Sequence, residues 1–423
     1  MIPEPLYIGI DFGTSGCRAC AIDTDARVRA EVAVPLPDPV DRQQDPATWW
    51  AALTDNLDRL ILRLPPGRVA AMAVDGTSAT LLLCTADGTP LGPALMYNNT
   101  AATAAADRVA QVAPLDCAAH GPSAGLAKLL YLQSLPASAD ARFALHQADW
   151  ISGHLCGRYG ITDENNALKL GYDPVARAWP DWLDRLGVRH ELLPAVVPPG
   201  KVLGPLDPGL AARWGLADAT RIISGTTDST AGFIATGAGP GEAVTTLGST
   251  LVLKVCSGQP VFAPEHGVYS HRLGEHWLVG GASNSGGAVL RRYFSDAQMQ
   301  QLSLAVTPGK PTGLDYYPLP GSGERFPENN PRLAPRLEPR PADDAVFFQG
   351  LLEGITAIEL RGYRLLESLG TPRPQRIYTA GGGAVNEAWR VLRELALGIP
   401  VAVAPHQQAA YGAALLARQG ATG

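Results

Sequence analysis

Two aspartates in this chain stand where a strand should give way to a turn or a helix. In IGIDFGTSGCRACAID (8–23), Ile8 and Ile10 alternate with Gly9 and Asp11. A period-two strand therefore buries the isoleucines and turns Asp11 to the other face, at its end, over the turn. Gly13, Thr14, Ser15 and Gly16 follow, two glycines with two hydroxyls, which is the composition of an anion-binding nest. From this segment alone an ordinary hairpin with a solvated Asp is the simpler reading. Asp228 lies in SGTTDSTAG, between a strand pattern and an apolar helix. A general base and a helix N-cap suit that position equally. The chemistry these residue types could do is proton transfer beside a bound anion.

Further glycine-rich turns occur at LGST (247–250), GGASNSGG (280–287) and GGG (381–383), the last opening a helix near Asn386. The last could accept a nucleotide by close backbone approach, but is weak evidence alone. Familiar alternatives are missing from the sequence. No GxxxxGK[ST] occurs, Lys310 being followed by Pro311; no GxGxxG follows a strand; no HExxH is present. His146, His154, His266, His271 and His276 read as ordinary core or surface histidines. Cys17 and Cys20 form a CxxC, but their odd separation on a strand puts them on opposite faces, as packing residues.

The elements that position these groups repeat. The opening third reads strand, turn, strand, a third strand near VRAEVAVPL, then a helix from Pro46 capped by Asp45, with Trp50, Leu53, Leu57, Leu60 and Leu64 as its core stripe. The strand VAAMAVDGTSA ends in Asp75-Gly76-Thr77-Ser78, so another strand end presents polar residues, and Asp87-Gly88 signals a hairpin. From about residue 221 the plan begins again: RIISGTTDSTAGFIATG is strand, turn and helix, and EAVTTLGSTLVLKVCSG echoes the first hairpin. An internal duplication follows, in which two nests can close on one ligand. The Pro-rich and charged stretch 303–344 reads as a long surface excursion without chemistry.

Length and composition agree. A chain of 423 residues exceeds one ordinary core and predicts two domains with a cleft between them. The 46% hydrophobic and 17% charged residues are those of a globular protein, and no apolar run is long enough to cross a membrane. The net charge of −6 argues against nucleic acid as the main partner. Six cysteines and an N-terminus without a signal pattern predict a cytoplasmic protein.

DFGTSG at 11–16, GTTDSTAG at 225–232, LGST at 247–250 and GGGAVN at 381–386, in this order and spacing over almost the full chain, resemble the phosphate, catalytic, second phosphate and adenosine elements of the FGGY carbohydrate kinases. The resemblance implies an α/β fold of the two-domain actin-like ATPase type, with duplicated ribonuclease-H-like cores. It implies a sugar-binding domain over 1–225, open to packing of the C-terminal helix at about 408–423, and a nucleotide-binding domain over 226–423. AVDGTSAT, ADW, NALKLGY, GVYSH, GLDYYPLP and GERFP look most like the compact D-ribulose kinases of cyanobacteria and plants, and Thr77-Ser78 stands where xylulokinases typically carry Met-His.

By that resemblance the substrates are a small sugar and ATP, with Mg²⁺ as the metal. Asp228 is the general base that takes the proton of the terminal hydroxyl as it attacks the γ-phosphate. Asp11 holds the metal through water and reaches the sugar's reacting end. Gly13 and Thr14 face the γ-phosphate, with Gly248, Ser249 and Thr250 opposite; adenosine lies against Gly287, Gly381, Gly382 and Asn386. Ser15, Gly16, Cys17, Thr77 and Ser78 are the implied sugar contacts. Domain closure would keep water from the activated phosphoryl group. D-Ribulose is the implied acceptor, D-xylulose or another pentulose or pentitol the alternative, and an actin-like non-metabolic ATPase the distant one.

Overall fold

A computed structural model describes residues 4–65 and 68–422. It divides into two compact units, 1–235 with 408–423, and 236–407. The first unit holds a six-stranded sheet in the order Val202–Pro205, Arg221–Ile223, Val69–Gly76, Leu6–Phe12, Gly16–Ile22, Val28–Pro35. The second holds Tyr269–Leu273, His276–Ser283, Leu251–Ser257, Glu242–Leu247, Arg376–Ala380, Val401–Val403.

The duplication expected from the sequence is visible in the connectivity. In each unit three antiparallel strands are extended, through the first of them, by two parallel strands. Leu6–Phe12, Gly16–Ile22 and Val28–Pro35 continue into Val69–Gly76 and Arg221–Ile223. Glu242–Leu247, Leu251–Ser257 and His276–Ser283 continue into Arg376–Ala380 and Val401–Val403. Parallel strands need crossovers, and the helices of those crossovers cover the sheet faces, so central strands lose their polar side. Leu6–Phe12 is accordingly buried at every position.

Ile8, Ile10 and Phe12 pack on the face covered by the helix Pro46–Ile61. Asp45 caps that helix by accepting the N–H of Ala47, and Pro46 opens it. The core stripe differs at one position from the expected one. Trp49 is fully buried, with its indole N–H donated to Gln44 Oε1 at 2.6 Å, whereas Trp50 is half-buried against His154. The true first position of the stripe is one residue earlier.

Gly9 faces the other way. A Cβ there would lie 1.9 Å from the Ala410 carbonyl oxygen and 2.1 Å from the Ala414 nitrogen, so the C-terminal helix Ala409–Thr422 rests directly on the strand backbone. Gly412 on that helix meets the backbone of Ala231 equally closely, which seats the helix Asp228–Ala235. These backbone contacts place residues 226–235 with the first unit, so the unit ends at Ala235, not at the expected 225.

The stretch 303–344 is largely exposed, as expected of a surface excursion, but it is anchored by a few buried residues. Tyr316, Tyr317, Leu319 and Phe326 are buried, and the Phe326 ring fills the space that side chains at Gly281 and Gly362 would occupy. Its prolines and charges concealed an apolar set too irregular in spacing to show a period. Among the described residues, no helix is long and apolar enough to cross a membrane.

Candidate active site

In the first unit, three neighbouring parallel strands bring the acids together. Asp11 and Asp75 are register partners near the ends of Leu6–Phe12 and Val69–Gly76. Thr227, just before Asp228, bridges to Gly76. Gly225 makes this approach possible, since a Cβ there would sit 1.7 Å from the Val74 carbonyl oxygen. Asp228 is the first residue of its helix, half-buried, with Oδ1 accepting the N–H of Ser229 at 2.6 Å. The cap is Thr227, whose carbonyl accepts the N–H groups of Thr230 and Ala231 and whose hydroxyl pairs with that of Thr230 at 3.0 Å. The helix is thus capped one residue before Asp228.

Asp11 is 4% exposed, and Arg18 on the adjacent strand reaches its Oδ2 with Nη1 at 3.3 Å. Burial raises its carboxyl above the usual range, against the lowering influence of Asp75 and Arg18. Asp75 is fully buried, and burial followed by the charge of Asp11 pushes it well up. With both groups ionised neither oxygen of Asp75 has a hydrogen-bond donor. Burial and the neighbouring charge thus favour a proton held on the pair. The sequence reading noticed the strand end but did not select Asp75, although a carboxylate at the same register as Asp11 was there to be read.

The other expected residues of this unit divide. The N–H of Gly13 is spent on the Gly16 carbonyl at 3.0 Å, closing the hairpin, so the expected nest is smaller than its composition suggests. Thr14 is half-buried and Ser15 exposed, while Gly16 is buried in its strand. Cys17 departs from the sequence reading: its side chain is 0% exposed in the core with Ile10 and Phe12, on the opposite face of the strand from Asp11. Strand alternation sends residue 17 inward once Arg18 pairs with Asp11. Thr77 is buried, its N–H and hydroxyl both donated to Gln147 Oε1. Ser78 Oγ is buried with no hydrogen-bond partner.

In the second unit three turns interlock. Gly287 N–H donates to the Gly248 carbonyl at 2.8 Å and Ala288 N–H to that of Ser249 at 3.1 Å, while a Cβ on Gly381 would lie 2.8 Å from the Leu247 carbonyl oxygen. Gly248, Ser249, Thr250, Gly287 and Gly381 are therefore brought together. Ser249 and Gly382 are exposed, and a Cβ on Gly382 would meet nothing within 4 Å. Asn386 is committed inside the unit: its side-chain Oδ1 caps the helix Glu387–Leu397 by accepting the Trp389 N–H, and its Nδ2 donates to Ser303 Oγ at 2.8 Å. The sequence reading missed Glu324, from the stretch left without a role. Its buried carboxylate accepts from Ser283 Oγ at 2.6 Å and Asn284 N–H at 2.7 Å, fixing the loop that leads to Gly287.

Mg²⁺ commonly takes one or two carboxylates and fills its remaining positions with water and phosphate oxygens. Asp11 is a carboxylate of the kind such a site uses, and among the described residues no cluster of three or more His, Cys, Asp or Glu could hold a metal alone.

Comparison with known proteins completes the picture. Residues 6–235 match the N-terminal domain of the FGGY family of carbohydrate kinases, and residues 243–420 match its C-terminal domain. The xylulose kinase of Escherichia coli (strain K12) is 26% identical over 415 residues, covering 91% of this chain and 83% of that protein. The crystal structure of a xyloylose kinase from Brucella ovis superposes with a TM-score of 0.87 at 25% identity, covering 99% of this chain and 90% of that one. That of gluconate kinase from Lactobacillus acidophilus gives 0.86 at 22%, covering 99% and 89%, a likeness of fold alone. With a duplicated α/β core and family matches over both halves, the chain belongs to the FGGY family of carbohydrate kinases, sugar kinases of the two-domain actin-like ATPase fold.

Proposed function

We propose that this kinase phosphorylates D-ribulose at its terminal hydroxyl, using MgATP and forming D-ribulose 5-phosphate in the cytoplasm. Asp228 is the general base. The observation that carries this role is its place: Asp228 is half-buried and opens its helix, one residue after the bridge from Thr227 to Gly76 and beside the strand ends that bear Asp11 and Asp75. A carboxylate so placed accepts the hydroxyl proton as the oxygen attacks phosphorus, a contribution of roughly 10²–10⁴ in rate. Asp11 holds Mg²⁺ through water, and the metal, when bound, neutralises phosphate charge. Gly13, Thr14 and the exposed Ser15 serve the phosphoryl and sugar end. Ser249 and Thr250 hold phosphate, and Gly287, Gly381 and Gly382 hold adenosine, with Asn386 fixing the turn beside them. Gly248 shapes its turn, since its own carbonyl is taken by Gly287.

D-Ribulose is preferred because the turn Gly76–Thr80 offers a small, unpaired Ser78 hydroxyl. Epimers that differ in one hydroxyl are separated by a polar contact that one makes and the other leaves unpaired. D-Xylulose is the second reading, favoured by the xylulose kinases among the relatives. A panel of D-ribulose, D-xylulose, L-ribulose, ribitol and glycerol at saturating MgATP decides. A higher kcat/KM for D-ribulose, with the advantage lost in Ser78→Ala, is expected; preference for D-xylulose would replace the acceptor and leave the kinase chemistry intact.

A further inference from the structure

The turn Gly76–Thr80 is held from outside. Ala79 has φ of +64°, a left-handed backbone that a residue with a Cβ keeps only where its surroundings impose it. Lys128, on the helix Gly125–Gln133, reaches beneath the turn, with Nζ 2.7 Å from the Ala79 carbonyl oxygen and 2.7 Å from that of Met96. Its side chain is 0% exposed, and both of these partners are neutral carbonyls. An ammonium buried on such partners is expensive where an apolar side chain would pack as well. Burial, with Lys169 adding to it, pushes Lys128 down to about 7.

The rest of the turn is pinned as firmly. Gln147 Oε1 accepts both the N–H and the hydroxyl of Thr77, at 3.2 and 3.0 Å. The Thr77 hydroxyl lies 2.5 Å from that of Thr80, which also accepts the N–H of Tyr97 at 3.0 Å. Of the three hydroxyls in the turn, two are consumed internally, and only Ser78 Oγ has no partner.

We propose that Lys128 is a positioning residue for sugar recognition, holding the Ala79 carbonyl so that the adjacent Ser78 hydroxyl is fixed toward the acceptor. This rests on the reading that the turn faces the sugar. Lys128 itself touches no ligand; it acts through the backbone.

Lys128→Met keeps the length and apolar volume of the side chain and removes its donors. Steady-state kinetics with D-ribulose and D-xylulose are expected to show sugar KM raised by about tenfold, the effect of about one charged hydrogen bond. The ratio of kcat/KM between the two ketoses should move toward one, while KM for ATP stays at its wild-type value. A merely structural role would lower Tm and activity on both sugars alike, leaving the ratio intact. Lys128→Gln, whose amide retains N–H donors but is too short to serve both carbonyls well, should fall between wild type and Lys128→Met. Wild-type sugar KM and ratio in a folded Lys128→Met overturn the proposal; should that variant fail to fold, wild-type values in Lys128→Gln do so. The preference of the wild-type enzyme tests the D-ribulose assignment, and the change from wild type to variant tests Lys128, so the two can fail separately.

Discussion

Asp11 and Asp75 are register partners on adjacent parallel strands, and both are buried. Two ionised carboxylates in that position repel, and Asp75, unlike Asp11 with Arg18, has no donor, so burial and repulsion favour a state in which the pair shares one proton. Asn at position 75 reproduces the protonated partner. Asp75→Asn is therefore expected to retain sugar phosphorylation and to raise Tm at pH 7. The sign follows from the raised carboxyl: the folded protein holds a proton that the unfolded chain releases above about pH 4. Wild-type stability is lost as pH rises through that window, and the variant is spared part of the loss. Thermal melts from pH 4 upward should show its advantage growing; an advantage that shrinks would exclude the shared proton.

Asp228→Asn should keep the fold, because Thr227 supplies the cap, and should lower sugar phosphorylation by roughly 10²-fold or more. Circular dichroism and a coupled ADP assay check the two halves. Near wild-type turnover would remove Asp228 from the chemistry.

Asp11→Asn should reduce both sugar turnover and sugar-independent ATP hydrolysis, since one metal-side carboxylate serves both reactions. The Mg²⁺ concentration for half-maximal rate should also rise. Unchanged idle hydrolysis would count against a metal role.

Lys128 provides a test on the alkaline side. Held near 7 in the folded protein and near 10.4 in the unfolded chain, it binds fewer protons folded than unfolded between those values. Wild-type stability should therefore gain on Lys128→Met as pH rises from 7 to 10, read as a shift of the Tm difference in favour of wild type. A difference constant over that range would show that the ammonium is not penalised by burial.

Arg393 and Glu359 form a fully buried bidentate pair, with both nitrogen–oxygen contacts at 2.7 Å. Thr379 Oγ1 accepts from Arg393 Nη1 at 2.8 Å, tying the pair to the strand that leads into Gly381. Arg393→Met leaves the carboxylate buried without its partner and should cost about 3–5 kcal/mol in chemical denaturation. A loss below about 1 kcal/mol, the worth of an exposed pair, would mean that water reaches the site.

Much of this was legible in the chain itself. Period-two strands around Asp11, the Gly-Ser-Thr turn at 247–250 and the strand before Gly381 are local patterns, and local patterns survive folding because backbone geometry enforces them. Their order also revealed the duplication and the family. The positions of Asp11 and Asp228 at the ends of elements could be read for the same reason.

Other features depend on groups far apart in sequence. Gly9 is required because residues 410–414 return to lie on it, and residues 226–235 join the first unit for the same cause. Lys128 meets Ala79 across 49 positions, and Glu324 meets Ser283 across 41. No periodicity announces either contact, because a buried charge is placed by whichever carbonyls or hydroxyls the fold delivers to it. Cys17 shows the reverse case. The resemblance put it at the sugar, yet strand register turned its thiol into the core. Sequence alone determined which turns could bear chemistry; tertiary structure decided which of their atoms were already spent, since hydrogen-bond donors and acceptors are consumed by long-range partners that no local window contains.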